Sequence, residues 1–366
     1  MTSTAVERIA IVGTGLIGTS IAMASTRVGC HVTGWDADAL ALALASERAS
    51  MRGAHSLQDA VEGADIVVVC APVPSIPELV ARALKAAPEA VVTDAGSIKD
   101  HVVREVAVLV GSAAAGRFVG GHPMGGSERS GPGHASASVV DGIVWVLTPD
   151  EKAGVGMLAA LEAWIERIGG RPVRMSPARH DRLVAFVSHL PQIASTALMG
   201  LAATEESDEP DILLLAAGGF RDLTRLASSN PALWSQILLS NPDAIAEAID
   251  LYSARLADLR AMVLQGRGRD VEQMFDDAKR ARLRLAAKPQ VRAGVAVLQV
   301  QVPDSPGALA ELTSVLAEHT VNIEDLQIVH SPEGGRGTVH LTIAAGHTDI
   351  ALRCLDGGGF AAIRLA

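Results

Sequence analysis

His122 lies in a glycine-rich loop, Gly120-Gly-His122-Pro-Met-Gly-Gly-Ser-Glu128, that follows a strand-like run. A neutral imidazole there can take a hydroxyl proton as a hydride leaves the same carbon, because its ordinary pKa is close to physiological pH. Glu128, six residues on, can orient water or substrate. Ser97, in Thr93-Asp94-Ala-Gly-Ser97-Ile-Lys99, can hydrogen-bond an imidazole or cap a helix. Lys99 reads as a surface cation or as a partner of a helix dipole. In Val187-Ser-His189-Leu-Pro191-Gln192 a histidine sits at a proline kink of an apolar helix, where it can contact substrate. Gly218-Gly-Phe-Arg221-Asp222-Leu-Thr-Arg225 reads as a tight glycine turn followed by two arginines. A guanidinium fork grips a carboxylate with two hydrogen bonds. Arg225 is the better anion binder, and Arg221 and Asp222 can pair with each other.

A hydride needs an acceptor, and the N-terminus supplies a place for one. The apolar run Arg8-Ile-Ala-Ile-Val feeds into Gly13-Thr-Gly15-Leu16-Ile17-Gly18, then an apolar helix to Val28, then a second strand, His31–Trp35, that ends at Asp36. This is the order of a dinucleotide-binding βαβ unit. Gly13 permits the turn, Gly15 lets the backbone approach a pyrophosphate, and Gly18 lets helix and strand pack. The N–H groups of the helix start, at Leu16 and Ile17, face phosphate. Asp36 accepts from the adenosine ribose and repels a 2′-phosphate, and residues 37–40 hold no Arg, Lys or Ser. The cofactor expected is NAD rather than NADP.

Three regions must position these groups. Residues 1–175 alternate strand and helix, with strands at Ile9–Val12, His31–Trp35, Ile66–Ala71, Ala90–Thr93, Arg117–Gly120, Ile143–Leu147 and Pro172–Arg174. Their doubly apolar character suits a parallel sheet covered on both faces. Residues 176–288 are helical. Ser176-Pro177, Asn230-Pro231 and Asn241-Pro242 each set a capping side chain before a first-turn proline. Ile245, Ile249, Tyr252, Leu256, Leu259 and Val263 form one apolar stripe, and Val271, Met274, Phe275, Ala278 and Leu285 a second. Such a domain beside a nucleotide-binding unit suits a dimer core. Residues 293–366 read βαββαβ, a ferredoxin-like module.

Composition bounds the rest. The 366 residues are 49% hydrophobic and 20% charged, with mean hydropathy +0.28. A net charge of −10 without a basic patch argues against nucleic-acid binding. No apolar run looks long enough to span a bilayer. The first strand begins within about seven residues, leaving no room for a signal peptide. Cys30, Cys70 and Cys354 are scattered, with no disulfide framework or metal-ligand spacing. A cytoplasmic protein without a metal is expected.

Together the motifs resemble the prephenate/arogenate dehydrogenases of tyrosine biosynthesis, over almost the whole chain. The resemblance rests on Gly13–Gly18, Asp94-Ala-Gly-Ser97-Ile-Lys99, His122-Pro-Met-Gly-Gly-Ser-Glu128, Ser188-His189-Leu-Pro191 and Gly219-Phe-Arg-Asp-Leu-Thr-Arg225-Leu-Ala. It implies that His122 takes the proton of the ring hydroxyl and that Ser97 positions His122 and the nicotinamide. It implies that Arg225 binds a substrate carboxylate, that His189 and Glu128 shape the pocket, and that Trp234 packs nearby. The substrate would be prephenate or L-arogenate, which the chain alone does not separate. Pro303-Asp304-Ser-Pro306-Gly307-Ala308-Leu309 and Val321-Asn322-Ile323 resemble an ACT domain. That resemblance implies L-tyrosine as effector near Asp304, Gly307, Ala308, Leu309 and Asn322. Two other readings compete. A β-hydroxyacid dehydrogenase would need a lysine in the helical domain, and none occurs between Lys152 and Lys279. An amino-acid-sensing regulator would not need His122 and Arg225.

Overall fold

Short runs of β-branched residues build the first sheet. The computed structural model describes residues 6–125, 130–150, 153–206, 209, 211–286, 295–303, 305–329 and 336–365. The chain divides into two compact units, Met1–Glu272 and Gln273–Ala366. The first opens with β1 (Arg8–Val12), α1 (Leu16–Arg27), β2 (His31–Trp35), α2 (Ala39–Ala49), β3 (Arg52–Gly53), α3 (Leu57–Val61) and β4 (Ile66–Val69). It continues with α4 (Ile76–Ala86), β5 (Val91–Asp94), α5 (Asp100–Ala115), β6 (Phe118–Pro123), β7 (Val144–Thr148), α6 (Val155–Arg167) and β8 (Arg171–Arg174). The strand order is β3-β2-β1-β4-β5-β6-β7-β8. Alternate residues of one strand serve opposite faces. Ile9 and Ile11 pack with Val32, Trp145 and Trp164, while Ala10 and Val12 pack with Leu57, Ile76 and Val80. Fully burying one such aliphatic side chain contributes roughly 1.5–3 kcal/mol.

The sheet corrects an all-parallel expectation. β6 and β7 run antiparallel, with Gly120 opposite Thr148 and Pro123 opposite Trp145. A parallel return needs a crossover of a dozen or more residues, usually a helix. Between β6 and β7 the described residues offer only two short helical turns, Pro132–His134 and Ala137–Val140. β3, two residues long and paired to β2, carries no periodicity that sequence could reveal. The carboxyl ends of β1, β2, β4, β5 and β6 still share one edge, and the chain changes direction across the sheet between β1 and β4. Ligands of open α/β sheets bind at that edge.

The helical part comprises α7 (Pro177–Val184), α8 (Leu190–Glu205), α9 (Gly218–Thr224), α10 (Pro231–Leu239), α11 (Pro242–Leu264) and α12 (Gly268–Ala286). Ser176 caps α7 by accepting from Arg179 N, and Asn230 caps α10 by accepting from Ala232 N and Leu233 N. Asn241 does not cap α11. Its amide is buried and donates instead to Asp181 O at 2.9 Å. Gly218 and Gly219 form the first turn of α9, not a tight turn before it. Of the α11 stripe only Ile245 is buried; Tyr252, Leu256 and Val263 are 42%, 49% and 63% exposed. That face has no partner within the described chain.

The helical run Pro177–Glu205 corrects the membrane expectation: by length and composition it could cross a bilayer. Polar contacts argue against that location. Buried His180, Asp181 and Gln192 bond to other elements of the first unit. Polar groups in hydrocarbon are satisfied only by protein partners or water-filled cavities. Inside this run Ala185–His189 forms a π-helical turn, with Leu190 N donating to Ala185 O five residues back. Pro191, which has no N–H to give, follows directly.

The second unit holds β9 (Val295–Pro303), α13 (Ala308–Glu318), β10 (Ile323–Val329), β11 (Arg336–Ala344), α14 (Thr348–Gly357) and β12 (Ala361–Leu365). Its antiparallel sheet, in order β10-β11-β9-β12, is the βαββαβ arrangement expected from the sequence. Leu298, Val300, Leu312, Leu316, Leu341 and Leu355 form its core. Gly307, with φ of +93°, precedes α13 in the left-handed region that favours glycine. Ala308 is buried and Leu309 is exposed. Asp304 lies outside the described residues.

Lys99 is not a surface cation. It is fully buried, its ammonium pairs with buried Asp94, and it also donates to Gly121 O at 2.8 Å. Its backbone N–H donates to Asp181 Oδ1 at 2.8 Å. One residue thus ties β5, β6 and α7 together. Burial pulls the amine below its usual value, against the attraction of Asp94. Removing one partner leaves a buried charge unpaired. Lys99→Met should therefore lose about 3–5 kcal/mol of unfolding free energy in denaturant titrations. Replacing Arg52 of the exposed Arg52–Asp59 pair should leave the denaturation midpoint almost unchanged. Equal effects of the two substitutions would show that the Lys99 tie carries no special weight.

Candidate active site

The glycine loop has the shape its residue types imply. Gly13 has φ of +98°, and a Cβ there would lie 2.2 Å from Cys70 O. A Cβ at Gly18 would lie 2.0 Å from Gly13 O, so loop and helix leave no room for one. A Cβ at Gly15 would meet nothing within 4 Å. That open side adjoins the start of α1, where no side chain caps the first N–H groups, including those of Leu16 and Ile17. Backbone donors and a helix dipole can there receive a pyrophosphate. Asp36 Oδ2 accepts from Thr14 N at 2.6 Å and Thr14 Oγ1 at 3.0 Å, and Oδ1 accepts from Asp38 N at 2.9 Å. Oδ1 keeps capacity for a ribose hydroxyl. These residues fit a dinucleotide. Arg82, reaching in from α4, stacks over Trp35 at 5.8 Å. It lies more than forty residues beyond Asp36, outside the stretch 37–40 that holds no cation.

Across the same edge, His122 is the last residue but one of β6 and is half-buried. Its Nδ1 lies 2.8 Å from His180 Nε2. His180 Nδ1 lies 2.7 Å from Asp181 Oδ1. Asp181 also accepts from Lys99 N on Oδ1 and from Asp100 N on Oδ2, each at 2.8 Å. Asp94 is fixed from behind as well, accepting from Gly96 N and Gly121 N at 2.9 Å. His122 Nε2 carries no hydrogen bond to a described residue. Burial, with repulsion from His180, Lys99 and His189, holds His122 well below the usual imidazole range. The ring is neutral at physiological pH and can accept a proton.

His189 closes the π-helical turn. It is buried, its Nδ1 has no partner among the described residues, and its ring meets Trp234 edge-on at 6.1 Å. Burial first, and His180 next, push it down to about 4, although Asp181 pulls the other way. Gln192, one turn on, donates to Leu226 O at 2.8 Å and accepts from Ser229 Oγ at 3.2 Å. It anchors the turn that begins at Arg225 to the helix that carries His189. Arg225 is exposed and forms no ion pair with a described residue. An exposed guanidinium without an ion-pair partner among the described residues can take a carboxylate. Arg221 and Asp222 form no ion pair with each other. Ser97 is part-buried, does not cap α5, and makes no side-chain hydrogen bond to a described residue. Glu128 lies outside the described residues. Sequence reasoning missed His180, Asp181 and Gln192. Adjacent His and Asp in the first turns of a helix was the one signal available for the first two.

Comparison with known proteins agrees with this geometry. Residues 21–174 match the family "Prephenate dehydrogenase, nucleotide-binding domain", residues 176–277 "Prephenate dehydrogenase, dimerization domain", and residues 296–353 "ACT domain". A prephenate dehydrogenase of Bacillus subtilis is 32% identical over 350 residues, 92% of each chain. A crystal structure of prephenate dehydrogenase from A. aeolicus, in complex with hydroxyphenyl propionate and NAD+, is 28% identical with a TM-score of 0.72. It covers 78% of this chain and 100% of its own. Synechocystis arogenate dehydrogenase is 28% identical with a TM-score of 0.68, over 76% of this chain and 99% of its own. With a curated relative this similar along nearly its full length, the chain belongs to the prephenate dehydrogenase family.

Proposed function

We propose that this chain is an NAD-dependent dehydrogenase that converts prephenate to 4-hydroxyphenylpyruvate and CO2 in L-tyrosine biosynthesis. The observation that carries the reading is His122: a neutral imidazole with one free ring nitrogen, on the sheet edge that also holds the Gly13–Gly18 loop and Asp36. NAD, held by Gly13, Gly15, Leu16, Ile17, Gly18 and Asp36, supplies the hydride acceptor. His122 Nε2 takes the hydroxyl proton from the ring carbon that loses hydride. The ring carboxylate then leaves as CO2, its electron pair aromatises the ring, and the phenolic oxygen recovers its proton from His122. No proton is consumed or released overall. Arg225 binds a substrate carboxylate, Ser97 positions His122 and the nicotinamide, and His189, Glu128 and Trp234 shape the pocket. The family's arogenate dehydrogenase from Synechocystis supports L-arogenate as the second candidate substrate.

The organisation that goes with this activity is a nucleotide-binding domain over 1–175, a substrate and dimerisation domain over 176–288, and a regulatory ACT domain over 293–366. The exposed stripe on α11 is the face a second copy would cover in a homodimer. The protein acts in the cytoplasm. L-Tyrosine binds the C-terminal module near Asp304, Gly307, Ala308, Leu309 and Asn322.

Purified protein mixed with NAD and prephenate, or with L-arogenate, should raise absorbance at 340 nm. His122→Asn should lower kcat by roughly 10²–10⁴-fold with NAD affinity unchanged. Arg225→Gln should mainly raise KM for substrate, because a carboxylate contact is shared by ground and transition states. A full-rate His122→Asn enzyme would remove this histidine from the chemistry. The acid limb of the wild-type kcat/KM profile should fall below the ordinary imidazole value of 6.5, since a base held low stays neutral as pH drops through it.

Regulation is tested by ending the chain near Lys288. The shortened enzyme should keep its dehydrogenase rate and lose most inhibition by L-tyrosine. Undiminished inhibition would mean that tyrosine competes at the active site.

A further inference from the structure

Behind His122 stands a chain of hydrogen bonds whose polarity is fixed from the Asp181 end when His180 is neutral. Asp181 Oδ1 and Oδ2 already receive the N–H groups of Lys99 and Asp100. These donors face a carboxylate, which can only accept. His180 Nδ1, 2.7 Å from Oδ1, must then be the donor. In a neutral His180 the other nitrogen, Nε2, is the acceptor. His122 Nδ1, 2.8 Å from it, must donate in turn. That leaves the lone pair of His122 on Nε2, the nitrogen without a protein partner among the described residues.

We infer that His180 and Asp181 are positioning residues that fix the tautomer of His122 and stabilise its cation while it holds the substrate's proton. The inference deepens the dehydrogenase reading and rests on it. As Nε2 takes the hydroxyl proton, the positive charge forms on His122. It is shared through the Nδ1–H toward His180, whose far side faces the Asp181 carboxylate. Return of the proton to the phenolic oxygen restores every group to its starting form. Asp181 is 4% exposed and held by backbone donors, so the chain ends on a fixed charge and not on solvent. Such an ending suits a reaction that must give its proton back.

The groups around His122 are His180 from α7, Lys99 ahead of α5 with Asp94 paired behind it, and His189 at the π-helical turn. All but the two carboxylates resist a further positive charge. Asp94 is committed to Lys99 and to two backbone donors. Among the described residues Asp181 is therefore the one counter-charge directed along the His122 line.

Nitrogen-15 spectra of the full-length enzyme, labelled at histidine, test the tautomer directly. His122 should carry its proton on Nδ1 alone at neutral pH, and Asp181→Asn should shift it toward Nε2. Asp181→Asn should also lower kcat by roughly 10²–10⁴-fold, with little change in KM for either substrate. The acid limb of its kcat/KM profile should move to lower pH, because the imidazolium loses its counter-charge. His180→Gln keeps an acceptor for His122 Nδ1 but breaks the link to Asp181, so it should lower kcat in the same sense. It provides a second arm should Asp181→Asn fail to fold. A wild-type His122 protonated on Nε2 would overturn the inference. So would either variant retaining kcat within about threefold with an unmoved pH profile. If the enzyme oxidises neither prephenate nor arogenate, the dehydrogenase reading falls, and the wild-type spectrum alone still decides the relay.

Discussion

Burial of Asp94 and Asp181 is the constraint around which the catalytic edge is organised. Both carboxylates are buried, and a buried charge is tolerated only when it is paired and hydrogen-bonded. Lys99 meets that demand for both. Its ammonium answers Asp94 and its backbone N–H answers Asp181. The end of β5, the end of β6 and the first turns of α7 are thereby held in one register. His122 inherits its position from Gly121, whose N–H and carbonyl are bound by Asp94 and Lys99. A general base is useful only within hydrogen-bond reach of its proton. Here that precision comes from electrostatics in a dry interior rather than from side-chain packing.

The same economy explains the helical domain. Buried His180 and Asp181 bond to the nucleotide-binding domain, and buried Gln192 and Asn241 tie the helical segments to one another. Leu251, Tyr252, Leu256 and Val263 stay exposed. An isolated soluble chain rarely leaves so continuous an apolar stripe in water. The match to a dimerization domain over residues 176–277 accounts for it.

Much of this was legible in residue order. The Gly13–Gly18 loop, Asp36, the β-branched strands and the βαββαβ module follow from local chemistry and short-range periodicity, and the structure contains them. What escaped depends on long-range pairing. The direction of β7 goes with a connection from β6 that has only two short helical turns among its described residues, which strand composition does not record. Lys99 resembles any helix-start cation until Asp94 is brought beside it. Asn241 has the sequence context of a cap, yet tertiary contact with Asp181 outbids the local role. His180 and Asp181 have no glycine signature or helical period to mark them. Their meaning arises only when β6 comes to rest against α7.

The π-helical turn at Ala185–His189 has a bearing on how this enzyme can change over evolutionary time. Such a turn holds one residue more than an α-helix would use over the same span. Deleting a single residue there would heal the helix and improve its local hydrogen bonding. The wide turn already absorbs that residue within the span, so the flanking helices, with Gln192 on the second, would keep their facing. What would change is the turn itself, which sets His189 against Trp234. The extra residue thus re-aims one stretch of the helix while the packing at both ends is kept, and its loss would fall on the His189 position rather than on the domain.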